Sequence, residues 1–306
     1  MSEPFLVSII INNYNYGRFL GDAIESALNQ TYSRIEVVVV DDGSTDNSQD
    51  VMQQYSDRIV PVLKSNGGQA SAFNAGFAAS QGSILCFLDA DDLFLPKKVE
   101  AIVDAFLKNP QSNWFFHPLQ TVDETATFIE PARIQITTQE FDFRQTMQLG
   151  SLREVVSRLP FAIPATSGLC FARSLLDQIL PMPEAENIAL NDTYLQLTGF
   201  ALSQGVAINQ TLSLQRLHNS NAFTARKNQN SRIARIHVLT AYWLRANFPT
   251  SLGRISDQLF AKGLAFYWKS GGIEAQSKPM VQQYLTEAVL SEWLEIMARA
   301  VYRTIV

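Results

Sequence analysis

Three runs of apolar, largely β-branched residues, Leu6 to Ile11, Ile35 to Val40 and Ile84 to Leu88, each end abruptly in a polar cluster. Runs that are apolar throughout do not suit a sheet with one wet face, so they predict strands buried on both sides. Between the first two runs, Phe19, Leu20, Ala23, Ile24, Ala27 and Leu28 form one stripe of helical period. A short helix with Val51, Met52 and Tyr55, a strand near Ile59 to Leu63 and a helix over Ser71 to Ser80 follow. Strand and helix in alternation predict an α/β fold, a mostly parallel central sheet covered by helices.

The polar clusters are Asn12-Asn13-Tyr14-Asn15-Tyr16-Gly17, Asp41-Asp42-Gly43-Ser44-Thr45-Asp46 and Asp89-Ala90-Asp91-Asp92. In open α/β sheets ligands bind beyond the carboxyl ends of the strands, so the three clusters should converge on one crevice. Three carboxylates leaving one strand end raise one another's pKa unless a cation compensates. They invite a divalent metal with oxygen ligands, which could hold a diphosphate. Each Asp also has a plainer use. Asp92 is expected to cap the helix after Pro96, and one of Asp41 and Asp42 to close a turn. A dinucleotide or P-loop site is excluded, because neither G-x-G-x-x-G nor G-x-x-x-x-G-K-[ST] occurs.

The 306 residues, 46% of them hydrophobic, suffice for one large α/β domain with an appendage. Val99, Ile102, Val103, Phe106 and Leu107 mark a helix, and Asn113 to Phe128 reads as strand and loop. Leu159 to Gly168 and Leu180 to Glu186 read as loops around a site, and Thr193 to Leu202 as a helix. Thr121 to Gln148 reads only as a mixed, partly exposed segment. From Arg232 onward the pattern is helical, broken at Gly271-Gly272 and Pro279, which divides the chain into residues 1–225 and a helical C-terminal region, 226–306.

Charge divides at the same place. Residues 1–225 hold 13 Lys and Arg against 24 Asp and Glu, whereas residues 226–306 hold 11 against 5. So acidic a main domain gains nothing from phosphate neutralisation, which argues against a nucleic-acid partner. The basic region could meet an anionic membrane surface, the acidic domain or another partner. Its aromatics, Trp243, Phe266, Tyr267, Trp268 and Trp293, read as core or as a homo-oligomer interface rather than as membrane anchors. The two cysteines, Cys86 and Cys170, lack metal spacing and read as packing residues. With no long apolar span and no basic-then-apolar leader, a cytoplasmic protein is expected, with membrane association on the cytoplasmic face open.

The motifs Val7-Ser8-Ile9-Ile10-Ile11-Asn12-Asn13-Tyr14-Asn15, Ala27-Leu28-Asn29-Gln30-Thr31-Tyr32, Val40-Asp41-Asp42-Gly43-Ser44-Thr45-Asp46, Asn66-Gly67-Gly68 and Leu88-Asp89-Ala90-Asp91-Asp92 occur in that order. In this the chain resembles the glycosyltransferase family 2 enzymes, inverting transferases with the GT-A, or nucleotide-diphospho-sugar transferase, fold. The likeness covers residues 5 to 225. It implies that Asn12 and Tyr14 line the base pocket, the ring lying against a uracil. Asp42 would accept from the pyrimidine N–H, and Asp89 would meet the ribose or a metal-bound water. Asp91 would coordinate Mn²⁺ or Mg²⁺. Lys64 could approach the nucleotide, although a lone Lys at a strand end is more often solvated.

Further along, Pro164-Ala165-Thr166-Ser167-Gly168-Leu169 resembles the loop and strand leading to the acceptor side. The family's Glu-Asp pair is here Asn191-Asp192, so the resemblance implies Asp192 as general base with its usual neighbour replaced. An N-cap is the other use of Asp192. Leu214 to Asn221 resembles the family's Tyr-Arg-x-His-x-x-Asn segment, with Gln215 where Tyr is frequent, and implies a metal or phosphate contact at His218. His117 and His237 receive no assignment.

The expected activity is metal-dependent transfer of a sugar, with inversion, from a nucleoside-diphosphate donor, UDP-linked, to a hydroxyl of a saccharide or lipid-linked acceptor. Cell-surface polysaccharide or glycoconjugate synthesis is the expected setting. Two alternatives stay open: a non-catalytic sugar-nucleotide-binding or scaffold protein, favoured only by Asn191, and a sugar nucleotidyltransferase, which lacks its Gly-rich triphosphate loop here.

Overall fold

Val7–Asn13 (β1) runs through the middle of an eight-stranded sheet, flanked on one side by Ile35–Asp41 (β2) and Val60–Leu63 (β3). The computed structural model describes residues 5–125, 137–184, 190–219 and 230–305. On the other side of β1 comes Ile84–Asp89 (β4), and Leu93–Phe94 (β5) begins a small second sheet. Trp114–Phe116 (β6), Leu119–Val122 (β7), Thr138–Phe141 (β8), Leu169–Ala172 (β9), Gly205–Ile208 (β10) and Ser213–Arg216 (β11) complete the strands. The large sheet has the order β3-β2-β1-β4-β9-β6-β10-β8 and the small one β5-β11-β7. The pairs β1·β2, β1·β4, β2·β3 and β6·β10 are parallel; β4·β9, β6·β9 and β8·β10 are antiparallel.

The helices are Gly17–Leu28 (α1), Ser48–Gln54 (α2), Gly68–Ala79 (α3), Lys98–Lys108 (α4), Arg144–Gln148 (α5), Leu152–Arg158 (α6), Arg173–Ile179 (α7) and Asp192–Leu202 (α8). Asn230–Asn247 (α9), Pro249–Lys269 (α10), Lys278–Glu287 (α11) and Leu290–Ile305 (α12) follow. One apolar cluster, with Ile9, Ile11, Leu20, Ile24, Val99 and Ile102, fills the face of the sheet covered by α1 and α4. The other, with Ile10, Phe73, Phe87, Phe171 and Phe200, extends into α9 and α10 through Val238, Leu259 and Phe260. The alternation of neighbouring β1 residues between the two clusters explains why the run is apolar throughout.

The C-terminal helices therefore continue the core of the sheet. Of the aromatics in this region Tyr267 is fully buried, Trp243, Phe266 and Trp268 pack partly against the core, and Trp293 is 38% exposed. Pro279 does not break the helical pattern; it stands in the first turn of α11, where its missing N–H costs nothing. Cys86 and Cys170 face each other across β4 and β9, both buried. Among the described residues no helix is long and apolar enough to cross a membrane. The expected boundary at 225/226, the end of the Asn113 to Phe128 segment, and Glu186 lie outside the described residues.

Candidate active site

The in-register parallel pairing that aligns Asn12 with Val40 and with Asp89 brings the three polar strand ends side by side. Asn12 Nδ2 donates to Asp89 Oδ1 at 2.7 Å, while Asn12 Oδ1 is buried with no partner among the described residues. Asn15, in the left-handed region at φ 59°, ties the first turn to the second: its amide donates to Ser44 Oγ and its Oδ1 accepts from the Thr45 amide. Tyr14 projects from that turn, 47% exposed.

Of Asp41 and Asp42, one of which was expected to close the turn, it is Asp41 that does so. Asp41 is buried and holds the turn, accepting from Asn13 Nδ2 at 2.9 Å and the Ser44 amide at 3.2 Å. Asp42 accepts from the Gly67 and Gly68 amides at the start of α3, at 2.9 and 2.7 Å, and from Lys64 Nζ at 2.7 Å. Three of its roughly four acceptor positions are thus occupied. Lys64, expected near a nucleotide, reaches that region through Asp42.

The acidic strand end separates its three carboxylates. Asp91 Oδ2 lies 3.0 Å from His218 Nε2, and the imidazole is wedged between the rings of Tyr16 and Phe19. Asp89 also accepts from Gln69 Nε2 at 3.2 Å, and burial together with the charges of Asp91 and Asp192 pushes its pKa up to about 7. Asp92 caps no helix, contrary to expectation, since α4 begins at Lys98, preceded by Lys97. It is buried, accepting from Ser167 Oγ at 2.6 Å and the Arg216 amide at 3.0 Å, and burial holds its pKa well above the usual carboxylate range.

Asp192 opens α8, but the N-cap is Asn191, whose Oδ1 accepts from the Thr193 amide at 3.2 Å. The N-cap position considered for Asp192 belongs to its neighbour, and the Asp192 carboxyl accepts from the Thr193 and Thr166 amides. Desolvation raises its pKa to about 6, partly offset by hydrogen bonds from the Thr193 and Thr166 amides. Asp192 and Asp89 are close enough for the charge of one to act on the other.

Several residues that shape this site carried little signal in the sequence. Thr166, 1% exposed, stands between two carboxylates, its amide toward Asp192 and its hydroxyl toward Asp89 and Gln69. Ser167 joins the acidic segment at two points, accepting from the Asp89 amide at 3.1 Å and donating to Asp92. Lys98 is fully buried, donating to Ser167 O at 2.8 Å and Ser213 Oγ at 3.3 Å with Nζ 3.4 Å from the Phe94 ring centroid. Lys98 stands four residues before Ile102 and seven before Ala105 on the buried stripe of α4, and a lysine on an apolar stripe was the available clue.

Among the described residues no group of three or more His, Cys, Asp or Glu side chains is set to enclose a metal ion. One carboxylate and one imidazole could nonetheless contribute to holding a divalent ion. Such ions are held by one or two protein carboxylates plus the phosphates of the substrate, and Asp91 with His218 supplies one carboxylate and one imidazole. Burial and the neighbouring carboxylates raise the pKa of Asp89, and Asn12 Oδ1 has no partner among the described residues, so an added cation or hydrogen-bond donor would find unmet charge and polarity here.

Comparison with known proteins bears on the family and the fold. A glycosyltransferase of Nostoc sp., itself uncharacterized, is 38% identical over 221 residues, 70% of this chain and 66% of the relative. One from Rickettsia prowazekii, also uncharacterized, is 44% identical over 95 residues, 31% of this chain and 30% of the relative. The chain thus spans less than two thirds of the length of these relatives. The fold is shared with TarS of S. aureus in complex with UDP-GlcNAc, at TM-score 0.63 and 16% identity, covering 97% of this chain and 89% of that one. It is shared also with the mannosyltransferase PcManGT of Pyrobaculum calidifontis in complex with GDP-Man and Mn²⁺, at TM-score 0.50 and 14% identity, covering 99% and 88%. These likenesses give the GT-A architecture. The profile described as glycosyl transferase family 2 matches residues 8–180, from β1 to the end of β9 and α7, the span that carries the asparagine turn, both aspartate turns and the Thr166 loop. By that match over more than half its length, the chain belongs to glycosyl transferase family 2.

Proposed function

We propose that the protein is an inverting, metal-dependent glycosyltransferase that moves a sugar from a UDP-linked donor to a hydroxyl of a saccharide or lipid-linked acceptor. The observation that carries the reading is the convergence of Asn12, Asp89, Asp91, His218 and Asp192, from four separate segments, on one crevice. Tyr14, exposed beside the first turn, would lie against the uracil, and the acceptor position left on Asp42 would receive the pyrimidine N–H. Asp89 would take the ribose or a metal-bound water. Asp91 and His218 would hold Mn²⁺ or Mg²⁺, which supplies neutralisation of charge on the departing diphosphate.

Asp192 would take the proton of the acceptor hydroxyl as its oxygen attacks the anomeric carbon. The bond from that carbon to the diphosphate oxygen breaks on the opposite face, and its electron pair leaves with the nucleoside diphosphate. A carboxylate with a pKa of about 6 is both mostly ionised at neutral pH and basic enough to help. Asn191, the feature that favoured a non-catalytic protein, has a sufficient reason in the helix cap it makes. We assign transfer to residues 1–225 and contact with the cytoplasmic face of a membrane to the basic helical region 226–306, in the setting of cell-surface polysaccharide or glycoconjugate synthesis.

The test is a thermal-shift titration with UDP, dTDP, GDP and CMP, with and without Mn²⁺, on the wild type and Asp91→Ala. At a hundred times its Kd a ligand stabilises the fold by about 2.7 kcal/mol. A UDP shift that requires Mn²⁺ and disappears in the variant is expected; no shift with any nucleotide would overturn the reading.

A further inference from the structure

On the C-terminal helices, away from the crevice, a cavity of about 450 Å³ opens between α10 and α12, lined by Lys262, Ala265, Phe266, Lys269, Arg299, Tyr302 and Arg303. Four of these seven residues are cations and none is acidic. Arg299 pairs with Glu295 at 2.7 Å, but among the described residues Lys262, Lys269 and Arg303 have no carboxylate partner. The floor is apolar: Ala265 is buried and Phe266 packs against the core, while Tyr302 stands 66% exposed at the mouth.

Cations gathered around an apolar floor repel one another, and Lys262, half-buried among them, also loses solvation. Burial and the charge of Arg303 lower the pKa of Lys262. Behind the cavity, burial with Lys262 and Arg303 pushes His237, whose ring lies 6.0 Å from that of Phe266, down to about 3. An anion would offset the repulsion among these cations. A bare inorganic anion would leave Phe266 and Tyr302 unused, whereas a phosphate joined to an apolar chain satisfies both the rim and the floor.

We propose that this cavity binds the phosphate headgroup of an anionic membrane lipid and so orients the protein on the bilayer surface. The inference rests on the assignment of the C-terminal region to membrane contact and names the site through which that contact is made. The exposed apolar residues of α12, Leu290, Leu294, Val301 and Ile305, take no part. Leu294 lies about 140° round the helix from Arg299 and faces elsewhere.

The experiment is flotation of the full chain with vesicles of phosphatidylcholine alone and of phosphatidylcholine with one quarter phosphatidylglycerol. It compares the wild type, Lys262→Gln/Arg303→Gln, and the charge-matched control Arg254→Gln/Lys278→Gln. A cation near an anionic surface contributes about fivefold in partitioning, so the cavity variant should bind the anionic vesicles roughly 30-fold more weakly. The control should stay within about threefold of the wild type. An equal loss in the control pair would mean diffuse charge and overturn the cavity while leaving membrane contact standing. Equal recovery from neutral and anionic vesicles, or from neither, would overturn both. In a parallel thermal-shift arm a monomeric short-chain phosphatidylglycerol should stabilise the wild type and inorganic phosphate should not; an equal shift with phosphate would overturn the lipid assignment. The UDP and Mn²⁺ shift should be unchanged in the cavity variant, so a failure here is distinguishable from failure of the transferase reading.

Discussion

Replacing Asp192 by Asn should move activity and stability in opposite directions. The folded protein holds the Asp192 carboxyl with a pKa of about 6 against an ordinary 3.8. Because the folded value is raised, the fold binds this proton more tightly than the unfolded chain, and its contribution to stability is present below about pH 4 and is lost as pH rises through 6. Two units correspond to about 3 kcal/mol, so neutral Asn should make the metal-free protein up to about 3 kcal/mol more stable at pH 8. That is a rise in Tm of roughly 6 °C. At pH 4 the two proteins should melt together. Meanwhile loss of the base should reduce turnover roughly 10²- to 10⁴-fold, and wild-type kcat should fall below about pH 6 as the carboxylate is protonated. The assays are differential scanning fluorimetry in EDTA at both pH values and release of nucleoside diphosphate from the donor. Undiminished turnover would refute the base; a variant less stable than wild type at pH 8 would refute the electrostatic account of the crevice.

Asp42→Ala should uncap α3 and strand the Gly67 and Gly68 amides, costing about 2 kcal/mol in urea denaturation and weakening UDP. Lys98→Met keeps the apolar stem but removes the hydrogen bonds to Ser167 O and Ser213 Oγ, and should cost about 2 kcal/mol; unchanged stability would show that Ser213 alone supports the loop. Gly205→Ala would drive a methyl into the indole of Trp114, with Ser203 O holding that indole through Nε1, so about 3 kcal/mol of overpacking is expected by the same measurement.

The sheet was legible because each strand that crosses the middle is buried on both faces, so that Leu6 to Ile11, Ile35 to Val40 and Ile84 to Leu88 announce themselves without alternation. The polar clusters were legible for the same reason, as abrupt ends of those runs. Asp92 was misread because an Asp ahead of a helix pattern looks like a cap whether or not the helix starts there; here Lys97 and Lys98 intervene, and its partners lie in β11 and the Thr166 loop. Asn191 and Asp192 could not be told apart as cap and free carboxylate, since the boundary of α8 decides which is which and capping preference treats the two alike. Thr166 and Ser167 carry no signal of their role beyond lying in a loop. Their hydrogen bonds cross from β9 to β4, and such contacts leave no periodic trace along the chain. The core role of α9 and α10 was hidden by their charge, which sits on one face while Val238, Leu259 and Phe260 turn inward.

Asp91 stands between two residues, Asp89 and Asp92, that are both moored to Ser167, and Ser167 is itself moored to Lys98 and Ser213. Its position is therefore fixed through a residue 76 places further along the sequence, which makes the acidic strand end and the Thr166 loop a single mechanical unit. Chimeras that graft the aspartate cluster from a relative without its loop should inherit the motif and lose the function.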